Sequence, residues 1–252
     1  MGLYLVLLYP VIEKRRMRQS NFKDWILFED EDLIVIHKPP YISTLKDRTG
    51  ADSVLELATE YYKNCQVCHR LDKETSGALL LAKHPQAYKH VNIQFAERTV
   101  EKIYHAVAEG VHELKDMEID LPLLISASGM VRVAKAGKTS TTIVGSLSQY
   151  KNHTLVACKP VTGRMHQIRV HMAAIGAPLV ADETYGGKQL YLSAIKKKYR
   201  PKATNAERPL MRRVALHAYS LKFNDLNDEN QHIKCPYPKD FRTVISQLTR
   251  NS

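Results

Sequence analysis

Apolar positions in this chain fall mostly into short runs, with only a few faces at helical spacing. Residues 25–28 and 33–36 are apolar stretches on either side of the acidic turn 29–32, and Lys38-Pro39-Pro40 stops the second. That pattern predicts two strands. Ser53 stands where a helix over 53–62 would be capped, with Val54, Leu57, Ala58 and Tyr61 on one face. An uninterrupted apolar strand follows at 79–82, then a helix over 86–97 that turns Ala87, Val91 and Phe95 inward. Residues 100–108 alternate, placing Lys102, Tyr104 and Ala106 on one face and Ile103, His105 and Val107 on the other. Strand-like runs recur at 130–133, 139–147, 153–159 and 215–223. Residues 166–175, ended by Gly176, and 240–248 have helical spacing. Many strands with few helices between them predict an α+β fold around a bent, mainly antiparallel mixed sheet.

Composition narrows the partners. The chain has 252 residues, enough for one large domain or two small ones with a substantial core. Its 37 basic and 26 acidic side chains give a net charge of +11, which favours a polyanion such as nucleic acid. The longest apolar run, 3–12, has roughly half the length of a membrane span. The basic residues near it follow it rather than precede it, unlike a secretory signal. The expectation is a cytoplasmic protein with no membrane partner. Four cysteines are too few and too scattered for a disulfide framework. Cys65-Gln66-Val67-Cys68-His69 has haem-attachment spacing, but without an export signal or a second ligand pair it reads as scaffold.

The densest functional signal is 69–77, HRLDKETSG, a charged loop set directly before the apolar strand. Asp72 is its candidate carboxylate. Other chemistries fail on spacing. There is no G-x-S-x-G elbow, no H-E-x-x-H and no Gly-rich phosphate loop. His166 and His171 would stand about 140° apart on a helix, a poor metal pair. What remains is a carboxylate in a polar loop, Tyr104 on a strand, and a basic helix with Arg164 and Arg169, which suggests chemistry without cofactor or metal. The run 196–202, with Lys196, Lys197, Lys198 and Arg200 beside Tyr191 and Tyr199, reads either as a solvated surface loop or as a phosphate-contacting one. From pattern alone Asp72 suits a turn, Arg169 a solvated helix face, and Tyr104 and Leu216 the core.

Four segments, in order, carry a resemblance that alters those weights: 26–40 (ILFEDEDLIVIHKPP), 69–83 (HRLDKETSGALLLAK), 101–110 (EKIYHAVAEG) and 162–176 (TGRMHQIRVHMAAIG), with ADETYGG at 181–187. Ala215-Leu216-His217-Ala218 and Cys235-Pro236-Tyr237-Pro238 also fit. The chain resembles the RluA family of pseudouridine synthases over about residues 25–245. The resemblance implies a cofactor-free isomerase that turns uridine in RNA over and rejoins it through carbon 5. It gives Asp72 the role of catalytic aspartate, as nucleophile or base, and Arg169 that of the cation that keeps it charged. Tyr104 becomes the residue that stacks on the flipped uracil and assists at carbon 5. Arg70 is implied to fill the vacated space or grip phosphates, and Leu216 to line the base pocket. Thr75-Ser76-Gly77 would be the turn that aims the loop.

The implied organisation is a basic arm, 1–24, followed by one catalytic domain, 25–252, with no separate N-terminal RNA-binding domain. RNA affinity would then come from the catalytic domain, Arg164 included, from the arm and from the 196–202 run. A compact stem-loop of transfer or ribosomal RNA is the expected partner, bound by a monomer. One departure from the family pattern is Met165, where a threonine usually precedes HQIRVH; Thr162 is expected to supply the missing helix cap. The rival from another class is a non-catalytic RNA-binding or ribosome-assembly protein.

Overall fold

The computed structural model describes residues 21–47, 50–197, 199 and 206–252. Residues 1–20 of the arm, Lys198 and Arg200 lie outside the described residues. Strands β1 (Ile26–Glu29) and β2 (Leu33–Lys38) lead to helix α1 (Val54–Tyr61), then β3 (Gln66–Val67), β4 (Ser76–Ala82) and α2 (Pro85–Glu97). The middle of the chain is β5 (Glu101–Glu109), β6 (Met117–Asp120), β7 (Leu123–Ile125), β8 (Val131–Val133), β9 (Thr141–Gln149) and β10 (His153–Pro160). Helices α3 (Gln167–Ala174) and α4 (Leu192–Ile195) follow, then β11 (Leu216–Asn224), β12 (Asn230–Lys234) and α5 (Lys239–Arg250).

Among the described residues, ten strands form one sheet. Its main path runs β1-β2-β4-β11-β5-β10-β9-β6, with β3 added to β4 and β12 to β11. The pairing of β4 with β11 is parallel and the others are antiparallel. Strands β7 and β8 form a separate hairpin. The mixed, mainly antiparallel sheet expected from the sequence is therefore present.

The apolar runs that looked like strands are continuous because helices cover both faces of that part of the sheet. Ile34, Ile36, Leu79 and Leu81 pack against Val54 and Ala58 of α1. Leu33, Val35 and Leu80 pack against Ala87 and Val91 of α2 on the other side. In β5 the alternation is split between two layers: Ala106 meets α3 through Ile168 and Met172, and Val107 meets α5 through Phe241 and Val244. Ser53 caps α1 in a reciprocal box with Glu56.

Two local expectations are corrected. Trp25 belongs to a 3-10 turn, Phe22–Trp25, and the first strand begins at Ile26. The Thr75-Ser76-Gly77 segment is not the turn that aims the loop. The turn closes earlier, where the Thr75 N–H donates to the Asp72 carbonyl at 3.0 Å, and Ser76 and Gly77 already belong to β4.

Gly77 sits on the parallel seam opposite Ala218, with φ +125°. A Cβ there would lie 2.3 Å from the Ala218 carbonyl oxygen. The two halves of the sheet approach this closely because the side chain is missing. Gly77→Ala is expected to destabilise the protein by about 3 kcal/mol or more, through contact with rigid backbone and an unfavourable φ. Calorimetry should register that as a fall of ~6 °C or more in the thermal midpoint; an unchanged midpoint would contradict the close seam.

Candidate active site

The loop 68–75 connects β3 to β4, and its backbone is pinned from below. Thr44 Oγ1 donates to the Leu71 carbonyl at 2.8 Å and accepts from the Leu71 N–H at 3.1 Å. Lys38 is fully buried, and its ammonium donates to the carbonyls of Pro39 (2.9 Å), Ile42 (2.9 Å) and Lys73 (3.3 Å). Burial and the nearby Arg213 push the Lys38 pKa down to about 7, while three carbonyl acceptors favour the three-donor charged form. Arg213, also fully buried, grips Asp240 of α5 through two nitrogens, at 2.7 and 3.1 Å. Its third nitrogen donates to the carbonyls of Glu74 (3.0 Å) and Leu216 (3.2 Å), tying the loop to the start of β11. Beside the seam, His217 Nε2 lies 3.2 Å from the Cys235 carbonyl, which only an N–H can serve. Its Nδ1 therefore accepts from the Ser76 hydroxyl at 3.0 Å.

Helix α3 is rich in polar residues yet buried from Gln167 to Met172, because each inward polar group has a partner. Gln167 accepts from the Thr162 hydroxyl (2.7 Å) and the Arg164 N–H (3.0 Å), and donates to the Thr141 carbonyl and the Thr142 hydroxyl. His171 bridges the Thr142 hydroxyl and the Leu121 carbonyl. Thr162 does not take over as the helix cap. The N-cap residue is His166, with no side-chain cap bond, and Thr162 instead orients Gln167. Met165 packs against Leu123, Val131 and Val170.

Loop, sheet and helix enclose a cavity of about 660 Å³. Asp72, Tyr104, Leu216, Arg169, Arg70 and Arg164 all line it. Asp72 is the sole acidic side chain among its described lining residues, whereas Arg98 and Lys102 add two further cations. Arg70 and Arg164 are exposed at the rim and Leu216 is buried at the wall. The structure does not bring Lys196 and Lys197 into the cavity. They follow α4, whose Ile195 packs with the α5 cluster against Val107, on the face of β5 opposite Tyr104.

The charges around Asp72 differ from the simple pair implied by the resemblance. Arg169 Nη1 is 3.9 Å from Asp72 Oδ2, an ion-pair distance without a hydrogen bond. Its two-point bond goes to Asp182 instead, Nε to Oδ2 and Nη2 to Oδ1, both at 2.7 Å. Asp182 is 1% exposed, so this pair is a desolvated clamp on the arginine rather than a surface contact. His166 Nε2 also faces Asp72, at 3.8 Å. Burial, with Asp72 second, raises the Tyr104 pKa above the ordinary phenol value, so its hydroxyl keeps its proton at neutral pH.

His69 and His171 serve the scaffold through hydrogen bonds. His69 accepts from the Leu80 N–H at 3.1 Å, and burial, then Lys102, push its pKa down to about 3. Cys65 and Cys68 are buried in the cores on either side of β3. The residues that sequence reasoning missed are Lys38, Asp182, Arg213 and the site-facing role of His166. Lys38 carried one signal, a charge just past the apolar run 33–36 at the end of β2. Asp182 lay in the quoted ADETYGG segment.

Comparison with known proteins points to one family. A family model described as RNA pseudouridylate synthase matches residues 32–174. A ribosomal large subunit pseudouridine synthase C from Pasteurella multocida is 32% identical over 245 residues, covering 94% of this chain and 72% of its own. An uncharacterised RNA pseudouridine synthase from Zymomonas mobilis is 36% identical over 241 residues, covering 92% and 97%. Among solved structures, human RNA pseudouridylate synthase domain containing 4 superimposes with a TM-score of 0.72 at 25% identity, over 95% of this chain and 98% of that one. The family match spans more than half of the chain and the relatives extend it to nearly all, so the chain belongs to the RluA-type RNA pseudouridylate synthases.

Proposed function

We propose that the protein isomerises uridine in a folded RNA, with Asp72 as the reacting carboxylate. The observation that carries this is the single acidic side chain in a cavity whose other charged lining residues, among those described, are Arg70, Arg98, Lys102, Arg164 and Arg169. Such a wall attracts the phosphate backbone and leaves one group able to attack the ribose or take its proton. The bond from uracil nitrogen 1 to the ribose breaks, the base turns, and carbon 5 bonds to the same ribose carbon. Carbon 5 then loses its proton and nitrogen 1 gains one, so product and substrate are isomers. The uridine must leave its stack for this to happen. Tyr104 and Leu216 offer the surface against which the extruded base packs. A phenol that holds its proton suits stacking and hydrogen-bond donation better than removal of the carbon-5 proton.

Arg169, clamped by Asp182, presents a permanent positive charge 3.9 Å from Asp72 without consuming it in a tight pair. Arg70 and Arg164 at the rim meet phosphates next to the target, joined by Arg98 and Lys102. Lys196 and Lys197 extend the RNA path beyond the cavity and serve affinity rather than chemistry. Residues 25–252 act as the catalytic unit. The name of the Pasteurella relative supports ribosomal RNA of the large subunit as substrate, and a stem-loop is the form in which we propose it is bound. Mapping pseudouridines in ribosomal and transfer RNA from cells with and without the gene decides between those RNAs.

Asp72→Asn is expected to lower tritium release from carbon-5-labelled uridine in RNA by at least about 10³-fold. RNA affinity, read by fluorescence anisotropy, should stay near the wild-type value. Retained turnover removes Asp72 from its role, and an absence of turnover in the wild-type protein on every cellular RNA favours a binding protein. Arg70→Ala and Arg164→Ala should each flatten the slope of log affinity against log salt by roughly 0.7 to 1. The double variant Lys196→Ala/Lys197→Ala should weaken binding and leave kcat unchanged.

A further inference from the structure

His166 spans the gap between the catalytic carboxylate and a second structural element. Its backbone is left-handed, with φ 53°, at a helix start where no side-chain cap relieves it. The ring Nδ1 lies 2.8 Å from the Tyr185 hydroxyl oxygen, and Nε2 lies 3.8 Å from Asp72 Oδ2. The two rings meet edge to face, with centroids 5.7 Å apart. Tyr185 is itself held between the Arg169 guanidinium, 5.0 Å from its ring centroid, and the Val131 backbone of β8.

The two neighbours of the ring determine which nitrogen carries the hydrogen. Nε2 faces the Asp72 carboxylate, which can only accept, so the ring hydrogen belongs on Nε2 and Nδ1 accepts from the Tyr185 hydroxyl. Burial holds the His166 pKa below its ordinary value against the opposite pull of Asp72. Asp72 and Arg70 face the ring from the catalytic loop, Arg169 from α3, and Asp182 and Tyr185 from the turn after it.

We propose that His166 is a positioning residue of the isomerase, fixed by Tyr185 as the neutral Nε2–H tautomer so that this hydrogen orients the Asp72 carboxylate toward the ribose. The need for it follows from Arg169. Two nitrogens of that guanidinium are committed to Asp182, and the third stands 3.9 Å away from Asp72. Arg169 approaches Asp72 Oδ2 from one direction and leaves the carboxylate free to turn about that contact. His166 Nε2 approaches the same oxygen from a second direction at 3.8 Å, a separation that tightens to a hydrogen bond when RNA binds in the proposed mechanism, and it adds no second full charge. The inference rests on the reading of Asp72 as the reacting group.

Two measurements test it. Imidazole 15N NMR of the wild-type protein at neutral pH should show His166 uncharged, with its hydrogen on Nε2. A hydrogen on Nδ1, or an imidazolium, overturns the proposal whatever the variants do. In kinetics, His166→Phe should lower kcat about 10- to 100-fold with KM for RNA little changed, while His166→Gln, whose amide can present an N–H near the Nε2 position, should stay within about threefold of wild type. Equal losses in both variants, or no loss in His166→Phe, overturn it as well. Tyr185→Phe keeps the histidine and frees its tautomer, and a kcat unchanged by that substitution counts against the proposal even where His166→Phe fails to fold. A fully active Asp72→Asn enzyme would instead defeat the reading of Asp72, and the NMR result would remain a separate observation.

Discussion

The parallel contact between β4 and β11 is the constraint on which the rest of the site depends. The loop that bears Asp72, and Lys38 with it, belong to the half of the sheet built from β1, β2 and β4, whereas Tyr104, α3 and Asp182 belong to the half built around β5, β9 and β10. Among the described residues, this seam is what joins the two halves in the order of the sheet. The backbones close because Gly77 has no side chain to hold them apart. The seam is then locked by polar atoms removed from water: Ser76 to His217, His217 to Cys235, and Arg213 to Asp240, Glu74 and Leu216. A parallel ladder needs a long crossover. Here the chain between β4 and β11 supplies most of the second half of the site, so closing the ladder assembles the cavity.

Charge is distributed across that cavity unevenly. One carboxylate faces the open volume, and the other acid nearby, Asp182, is spent on Arg169. The arginine is therefore a shared cation, bonded to one carboxylate and within electrostatic reach of another. Burying such a pair costs more desolvation than its attraction returns unless the geometry is good, and two bonds of 2.7 Å meet that condition. What the clamp secures is direction. Arginine cannot lose its proton, so the field at Asp72 is constant while RNA enters and leaves.

Much of this was legible in the sequence, and the remainder was hidden for physical reasons. The continuous apolar runs of β2 and β4, the Ser53 cap and the amphipathic α5 each follow a local rule, and each formed close to its expected bounds. Strands β6, β7 and β12 escaped notice because they are short, and β12 (NQHIK) presents no apolar alternation at all. Asp72, Tyr104 and Arg169 could be placed at the site because their motifs are compound and ordered. Asp182 and His166 sat in or beside those motifs, but their roles depend on where side chains converge across the fold. Spacing carries no record of that. The helix cap shows the same limit: a threonine at 162 looked like a substitute cap, and in three dimensions its hydroxyl serves Gln167.

Lys38 and Arg213 bear on why the loop holds one conformation. Neither is needed to fill space; apolar side chains of similar size would bury as much surface without desolvating a charge. Their distinguishing property is the cost of being mispaired. A loop that shifted would strand the Lys73 and Glu74 carbonyls and two buried cations, each unmatched polar group costing about 1–3 kcal/mol and a charge more. Nearby alternatives to the observed loop are thereby removed, although the observed one gains little in absolute stability. In the role proposed for Asp72, a carboxylate that must meet a base presented by a separate, flexible RNA benefits from that exchange, since the enzyme then contributes a fixed target and only the substrate has to move.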